Sequence, residues 1–315
     1  MYSRTQTPIF VISSGRAGST MLARMINRHP SLICISDIFE PVGEEPYFDR
    51  DSVVDGKGFF AMLSRPSLPQ RIDYWRDGPT DELLFLHPDD TMVSLLNSYT
   101  LPFLTGGDPT DLFVQMRGAV EGFGDDNPAN HLAHSFDWLR ECFGKKLWVE
   151  RTGGSLPHIE KIIATWPEAK IVHNHRDCRE TALSMMTGSF FRLYLELEKN
   201  PELEEWDWEH LPAIEEMGEM LNRWVVDAIP VLESLPDERR LDLSFDQFCY
   251  QPETTLLDLA SFVLDRRPTE EDALWAREQA TLVKAPRLRF PELSAGEQSL
   301  LEAACRPALD ALGYN

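Results

Sequence analysis

PIFVISSGRAGSTMLARMINRHP, residues 8–30, passes from an apolar β-prone run through a Gly/Ser-rich turn into an amphipathic stretch that stops at Pro30. It reads as strand, loop and helix, with Ser14, Gly15, Arg16, Ala17, Gly18, Ser19 and Thr20 forming the loop. Glycines there permit close backbone approach and a helix N-terminus offers free N–H groups, so the loop suits a phosphate. A plain strand-to-helix turn is the competing reading, and the loop alone does not separate the two. The Walker A pattern GxxxxGK(S/T) is absent and Arg16 is the loop's one cation, which removes the lysine that nucleotide triphosphate hydrolysis ordinarily uses.

Outward from the loop, SLICIS at 31–36 reads as a second strand that exits into Asp37, Phe39 and Glu40, at the strand end where open α/β sheets carry ligands. KLWVER (146–151), LPHIEKIIATWP (156–167) and AKIVHNHRD (169–177) read as strand, helix, strand. Helical spacing then runs through 178–200 and again through 215–235, with an acidic, aromatic loop or docking edge at 200–212. RRLDLSFDQF (239–248) reads as a strand, and 252–264 and 293–314 as helices. From 43 to 135 periodicity weakens and turn signals such as GEEP, RPSLPQ and GDDNPAN accumulate, so 43–145 is expected to be a helical insertion or acceptor-side lid. The alternation predicts an α/β fold: a P-loop-like, three-layer α/β/α domain over 1–315 with a central parallel sheet.

Composition narrows the partners. The 315 residues are 43% hydrophobic and 26% charged, enough apolar material for a large core. Lys plus Arg total 30 against 52 Asp plus Glu, and the net charge of −22 repels nucleic acid and anionic lipid. The five cysteines are scattered singly, which suggests reduced core thiols and no zinc site. No run of about 18 apolar residues occurs, so a cytoplasmic protein without a membrane partner is expected. His173 and His175 are placed on opposite faces of their strand, a poor arrangement for a metal. His29 is taken as a helix terminator.

The second chemical feature is IVHNHRDCRETALS, where Arg176 closes a strand and Ser184 follows eight residues later. Both can face one anion, although an Arg176–Asp177 cap of the next helix is the blander reading. Taken together, SSGRAGSTMLARMINRHP resembles the 5′-phosphosulfate loop, and HNHRDCRETALS the 3′-phosphate segment, of sulfotransferases that use 3′-phosphoadenosine-5′-phosphosulfate (PAPS), in bacterial members related to the tyrosylprotein branch. WVERTGGSLPHIEKIIATWPEAKIVHNHRD is similar to the family's WxEKTP-like region, and LSFDQFCYQPETTLLDLASFV to its YEDLxxxP element.

The resemblance implies a sulfotransferase with PAPS as donor, 3′,5′-bisphosphoadenosine (PAP) as product, no metal, and a small-molecule or carrier-bound hydroxyl acceptor. It implies donor binding by Ser14, Gly15, Arg16, Ala17, Gly18, Ser19 and Thr20, with Arg176 and Ser184 on the 3′-phosphate and Lys284, Arg287 and Arg289 in a late basic loop. Arg16 and Arg151 are implied as charge stabilisers and Asp37 or Glu40 as the base. Asp37 replaces the family's usual Glu, and Arg151 its usual Lys. A P-loop nucleotide or small-molecule kinase, and a catalytically weakened PAP-binding protein of the same fold, are the alternatives.

Overall fold

The computed structural model describes residues 6–40, 45–66, 84–85, 94–203, 206–207 and 209–314. Its centre is a five-stranded parallel sheet in the order β2-β3-β1-β4-β5, built from β1 (Ile9–Ser13), β2 (Leu32–Ser36), β3 (Leu147–Gly153), β4 (Lys170–His175) and β5 (Arg240–Ser244). Every residue of β1 and β2 is buried, as expected of strands covered on both faces. Helix α1 (Ser19–Asn27) connects β1 to β2. The chain then runs through α2 (Gly56–Leu63), a π-helical segment at Leu96–Thr100, α3 (Leu101–Thr105), α4 (Thr110–Val120) and α5 (Pro128–Cys142) before β3.

Between β3 and β5 lie α6 (Ile159–Thr165), α7 (Cys178–Met186), α8 (Ser189–Lys199) and α9 (Ile214–Glu233). The chain closes with α10 (Phe245–Tyr250), α11 (Pro252–Leu264), α12 (Glu270–Ala280) and α13 (Ala295–Leu312). Two cores result, one on each face of the sheet. Phe10, Ile12, Ile33, Ile35 and Ile171 meet residues of α2 and α4–α9 together with α13. Ile9, Val11, Leu32, Cys34 and Val172 meet α1 and α10–α12. The strand period of two sends alternate residues of each strand to opposite cores, which makes the three layers.

Several sequence expectations need correction. The single helical run at 178–200 breaks at Thr187-Gly188 into α7 and α8. The strand expected over 239–248 stops at Ser244, whose side chain accepts the Gln247 N–H at 3.4 Å and starts α10. GDDNPAN is not a loop throughout. Asn127 caps α5 by accepting the Asn130 N–H at 2.9 Å, and Pro128 takes the first helical position, where its missing N–H costs nothing. Helix α12 was not anticipated, although Thr269 and Asp272 form a capping box at its start.

His173 and His175 do not point to opposite faces. Residues two apart on a strand share a face, and their rings lie 5.1 Å apart. His29 is fully buried and does more than end a helix: its Nδ1 accepts the Ser31 N–H at 3.1 Å, so Nε2–H donates to Asp272 at 2.9 Å. Of the cysteines, Cys34, Cys178 and Cys305 are buried, whereas Cys142 is exposed and Cys249 half-buried.

Candidate active site

The strand ends converge on the Gly/Ser loop. After Ser13 the backbone takes positive φ at Gly15 (85°), Arg16 (54°) and Gly18 (80°), a tight curl of the kind that turns N–H groups toward an anion. Two aromatic rings close on it. A Cβ on Gly15 would stand 2.4 Å from the Phe191 ring, and one on Gly18 2.3 Å from the Phe245 ring, so neither position admits a side chain without displacing a ring. No side chain caps α1, which leaves its first N–H groups for a ligand. Ala17 and Ser19 are buried, and Ser14 donates its hydroxyl to the Gly15 carbonyl at 3.2 Å.

Arg16 leaves the loop toward α7. Its Nε donates to Ser184 Oγ at 3.1 Å, joining the two motifs across 168 residues of sequence. On the other side of the loop stands Arg151, which is 1% exposed although it carries a charge. Its guanidinium donates to Asp37 and to the Thr20 hydroxyl, and its Nε has no partner among the described residues. Burial works against that charge, but the Asp37 carboxylate beside it leaves the arginine's pKa raised.

Asp37 sits in the left-handed region at φ 56°. Its Oδ1 accepts the Gly153 N–H at 2.8 Å, its own N–H donates to the Arg151 carbonyl at 2.9 Å, and its carbonyl accepts from Thr100 Oγ1 at 3.2 Å. Behind it Thr152 Oγ1 accepts the N–H groups of Ile38 (3.1 Å) and Phe39 (3.3 Å) and donates its proton to Glu150 at 2.5 Å. Burial pushes the Glu150 carboxyl well above its ordinary range, and its second oxygen has no partner among the described residues.

Arg176 lies near the surface end of β4 with only 10% of its side chain exposed. Its guanidinium stacks over the Phe245 ring at 4.9 Å, reaches the Arg287 carbonyl at 3.4 Å and lies 3.6 Å from Glu180, while its Nε is buried without a partner among the described residues. Asp177 caps α7 as the blander reading of the sequence expected, but its ion pair is with Arg179 at 2.7 Å and not with Arg176. Glu180 accepts the backbone N–H groups of Arg289 (2.8 Å) and Phe290 (2.9 Å), which docks the late basic loop beside Arg176. Lys284 and Arg287 on that loop are exposed, and Arg287 pairs with Glu292 at 3.1 Å.

A cavity of about 270 Å³ opens between these parts. Gly15, Arg16, Ser19, Thr20, Asp37, Arg151 and Gly153 form its polar side, and Phe39, Leu95, Tyr99, Phe190, Phe191 and Tyr194 its apolar wall. Burial and the nearby Asp37 charge push the Tyr99 phenol up to about 12, so it stays protonated at neutral pH. Glu40 does not line this cavity. It is buried beside a smaller one with Tyr47 and Arg65, its N–H donating to Glu45 at 2.8 Å and its carbonyl accepting from His158 at 2.6 Å. Sequence reasoning missed Tyr99, Thr100, Glu180, Phe245 and Arg24. Arg24, which also lines the cavity, is the one with a readable signal, standing four residues after Thr20 on the same helix face.

The profile of the Sulfotransferase family matches residues 121–264. The sulfotransferase domain from the curacin biosynthetic pathway superposes with a TM-score of 0.53 over 99% of this chain and 99% of that one, at 16% identity. This is the sulfotransferase fold. The sulfotransferase STF9 from Mycobacterium avium gives a TM-score of 0.51 over 98% of this chain and 78% of its own, at 15% identity. No curated protein sequence matches the chain. In this sulfotransferase fold the matched segment holds β3, β4 and β5, and therefore Arg151, Arg176, Ser184 and Phe245. No helix among the described residues is long and apolar enough to cross a membrane.

Proposed function

We propose that the chain transfers a sulfuryl group from PAPS to a hydroxyl of a small-molecule or carrier-bound acceptor. The observation that carries this reading is the 3.1 Å contact of Arg16 Nε with Ser184 Oγ, which unites a phosphate-type loop and a second anion-type segment beside a cavity holding Asp37. The residues suit a donor with phosphate at both ends. The positive-φ glycines let the loop curl with Phe191 and Phe245 packed against it, α1 starts without a side-chain cap, and the buried Arg176 Nε lacks an acceptor among the described residues.

Bound there, PAPS supplies the sulfuryl group and leaves as PAP. Arg16, Ser19, Thr20 and the loop N–H groups hold the 5′ end, and Arg176 with Ser184 holds the 3′-phosphate, with the Glu180-docked loop over it. Asp37 takes the acceptor's proton as the new O–S bond forms and the donor's S–O bond breaks. Arg151 keeps the Asp37 carboxylate aimed into the cavity and adds positive charge where the sulfuryl oxygens pass. Leu95 and Tyr99 make the 43–145 region one wall of the acceptor site.

Calorimetric titration with PAP, and separately with ATP and Mg²⁺, tests the donor. Arg16→Ala and Arg176→Ala should each weaken PAP binding by roughly ten- to a hundredfold, the value of a hydrogen bond to a charged group. Asp37→Asn should still bind PAP while sulfuryl transfer falls by about a hundredfold or more. ATP-Mg binding without PAP binding would replace this reading with a kinase.

A further inference from the structure

Once the loop and Ser184 are assigned to the donor, one cation on the cavity wall is left over. Thr20 and Arg24 stand one turn apart on α1, roughly 5–6 Å between Cβ atoms, and both line the cavity. Arg16 bonds Ser184, and Arg151 bonds Asp37 and Thr20. Arg24 alone of these arginines has no hydrogen-bond or ion-pair partner among the described residues. Arg24 is exposed at the cavity's edge with no carboxylate to neutralise it among the described residues, so its guanidinium is available to an anion that enters the cavity from outside.

The rest of the wall defines what else that ligand carries. Phe39, Leu95, Tyr99, Phe190, Phe191 and Tyr194 offer ring and aliphatic surface from three separate segments. At about 270 Å³ the cavity falls just below the roughly 300–1,000 Å³ range of ligand pockets and shares its Gly15, Arg16, Ser19 and Thr20 side with the donor, which leaves room for a body of no more than about one ring and not for a polymer.

We infer that the acceptor is a small apolar hydroxy acid, its hydroxyl at Asp37, its body against the aromatic wall and its carboxylate on Arg24. The inference rests on the sulfotransferase reading and deepens it. The planar guanidinium matches a carboxylate in two parallel hydrogen bonds, and placing the ligand's negative charge a helical turn from Thr20 keeps it away from Asp37.

The test is a titration of the PAP-saturated protein with 4-hydroxyphenylpropanoate, its methyl ester and 4-(3-aminopropyl)phenol. The acid should bind about tenfold tighter than the ester, and the amine weakest, as charge-assisted pairing at a partly open site predicts. In Arg24→Gln the acid-to-ester ratio should fall to about one while the PAP titration keeps its midpoint, and Arg24→Glu should favour the amine. An ester that binds as well as the acid overturns the inference. So does an acid preference retained in Arg24→Gln, PAP affinity lost together with that preference, or failure of all three phenols to bind. Failure of the parent protein to bind PAP, seen before any phenol is added, removes the donor reading itself and the inference with it.

Discussion

Thr152 shows how much of the site depends on one hydroxyl. It accepts two backbone N–H groups from the turn that carries Asp37 and passes its own proton to Glu150. Thr152→Val strands both buried amides, so it should cost about 2–4 kcal/mol in a denaturant titration and slow transfer with Asp37 misplaced. Glu150→Gln has the opposite sign. A carboxyl whose folded pKa is raised loses stability as pH climbs above its unfolded value of about 4.5, because folding must then take up a proton. The glutamine needs none and keeps the shape, so the variant should be more stable than the parent at pH 7. That gain should fade as pH falls toward 4.5. Neither role was legible in the WVERTG string, because the strand pattern shows only that Glu150 and Thr152 share a face. What each touches is decided by β2, which pairs with β3 and delivers residues 37–39.

At the scale of elements, α7 is the piece on which the proposed donor site depends. Arg176 lies just before the Asp177 cap, and Glu180 and Ser184 stand one turn apart on α7, so the strand-to-helix junction and the helix together present the two proposed phosphate contacts and the carboxylate that docks residues 289–290. Glu180→Gln removes the charge from those hydrogen bonds, each worth about 1.5–3 kcal/mol when the acceptor is ionised. Hydrogen exchange over 281–292 should accelerate, and PAP affinity should fall severalfold through the loosened loop. The Arg-to-Ser spacing of eight was readable in the sequence. The tether was not, since its partners are backbone N–H groups 109 and 110 residues away. The break between α7 and α8 was also unreadable from apolar spacing, which continues through Thr187-Gly188 although the helix does not.

Across the whole molecule, the His29–Asp272 pair ties the end of α1 to α12 on the face opposite the larger core. Burial works to raise the Asp272 pKa, but hydrogen bonds from Arg266, Thr269 and His29 hold it well below the usual carboxylate range. Burial likewise lowers the pKa of His29 from 6.5. Both shifts have one consequence: each group takes up its proton more readily in the unfolded chain, so stability is lost as pH falls. His29 should contribute to that loss from about 6.5 downward and Asp272 from about 4 downward. Asp272→Asn should lower the melting temperature at pH 7 by several degrees, with the difference from the parent shrinking in acid.

Local pattern alone determined the strand–loop–helix at 8–30, the parallel sheet and the two anion-type motifs, because backbone sterics, burial on both strand faces and glycine freedom act over a few residues. Tertiary structure decided which of the candidate carboxylates, Asp37 or Glu40, meets the cavity. Both follow β2 within four residues, and only the left-handed turn at Asp37, held by Arg151 and Gly153 from the neighbouring strand, sends one in and leaves the other beside Tyr47 and Arg65. The 3.1 Å meeting of Arg16 with Ser184 belongs to the same class, since β4 must lie beside β1 before residues so far apart in sequence can touch.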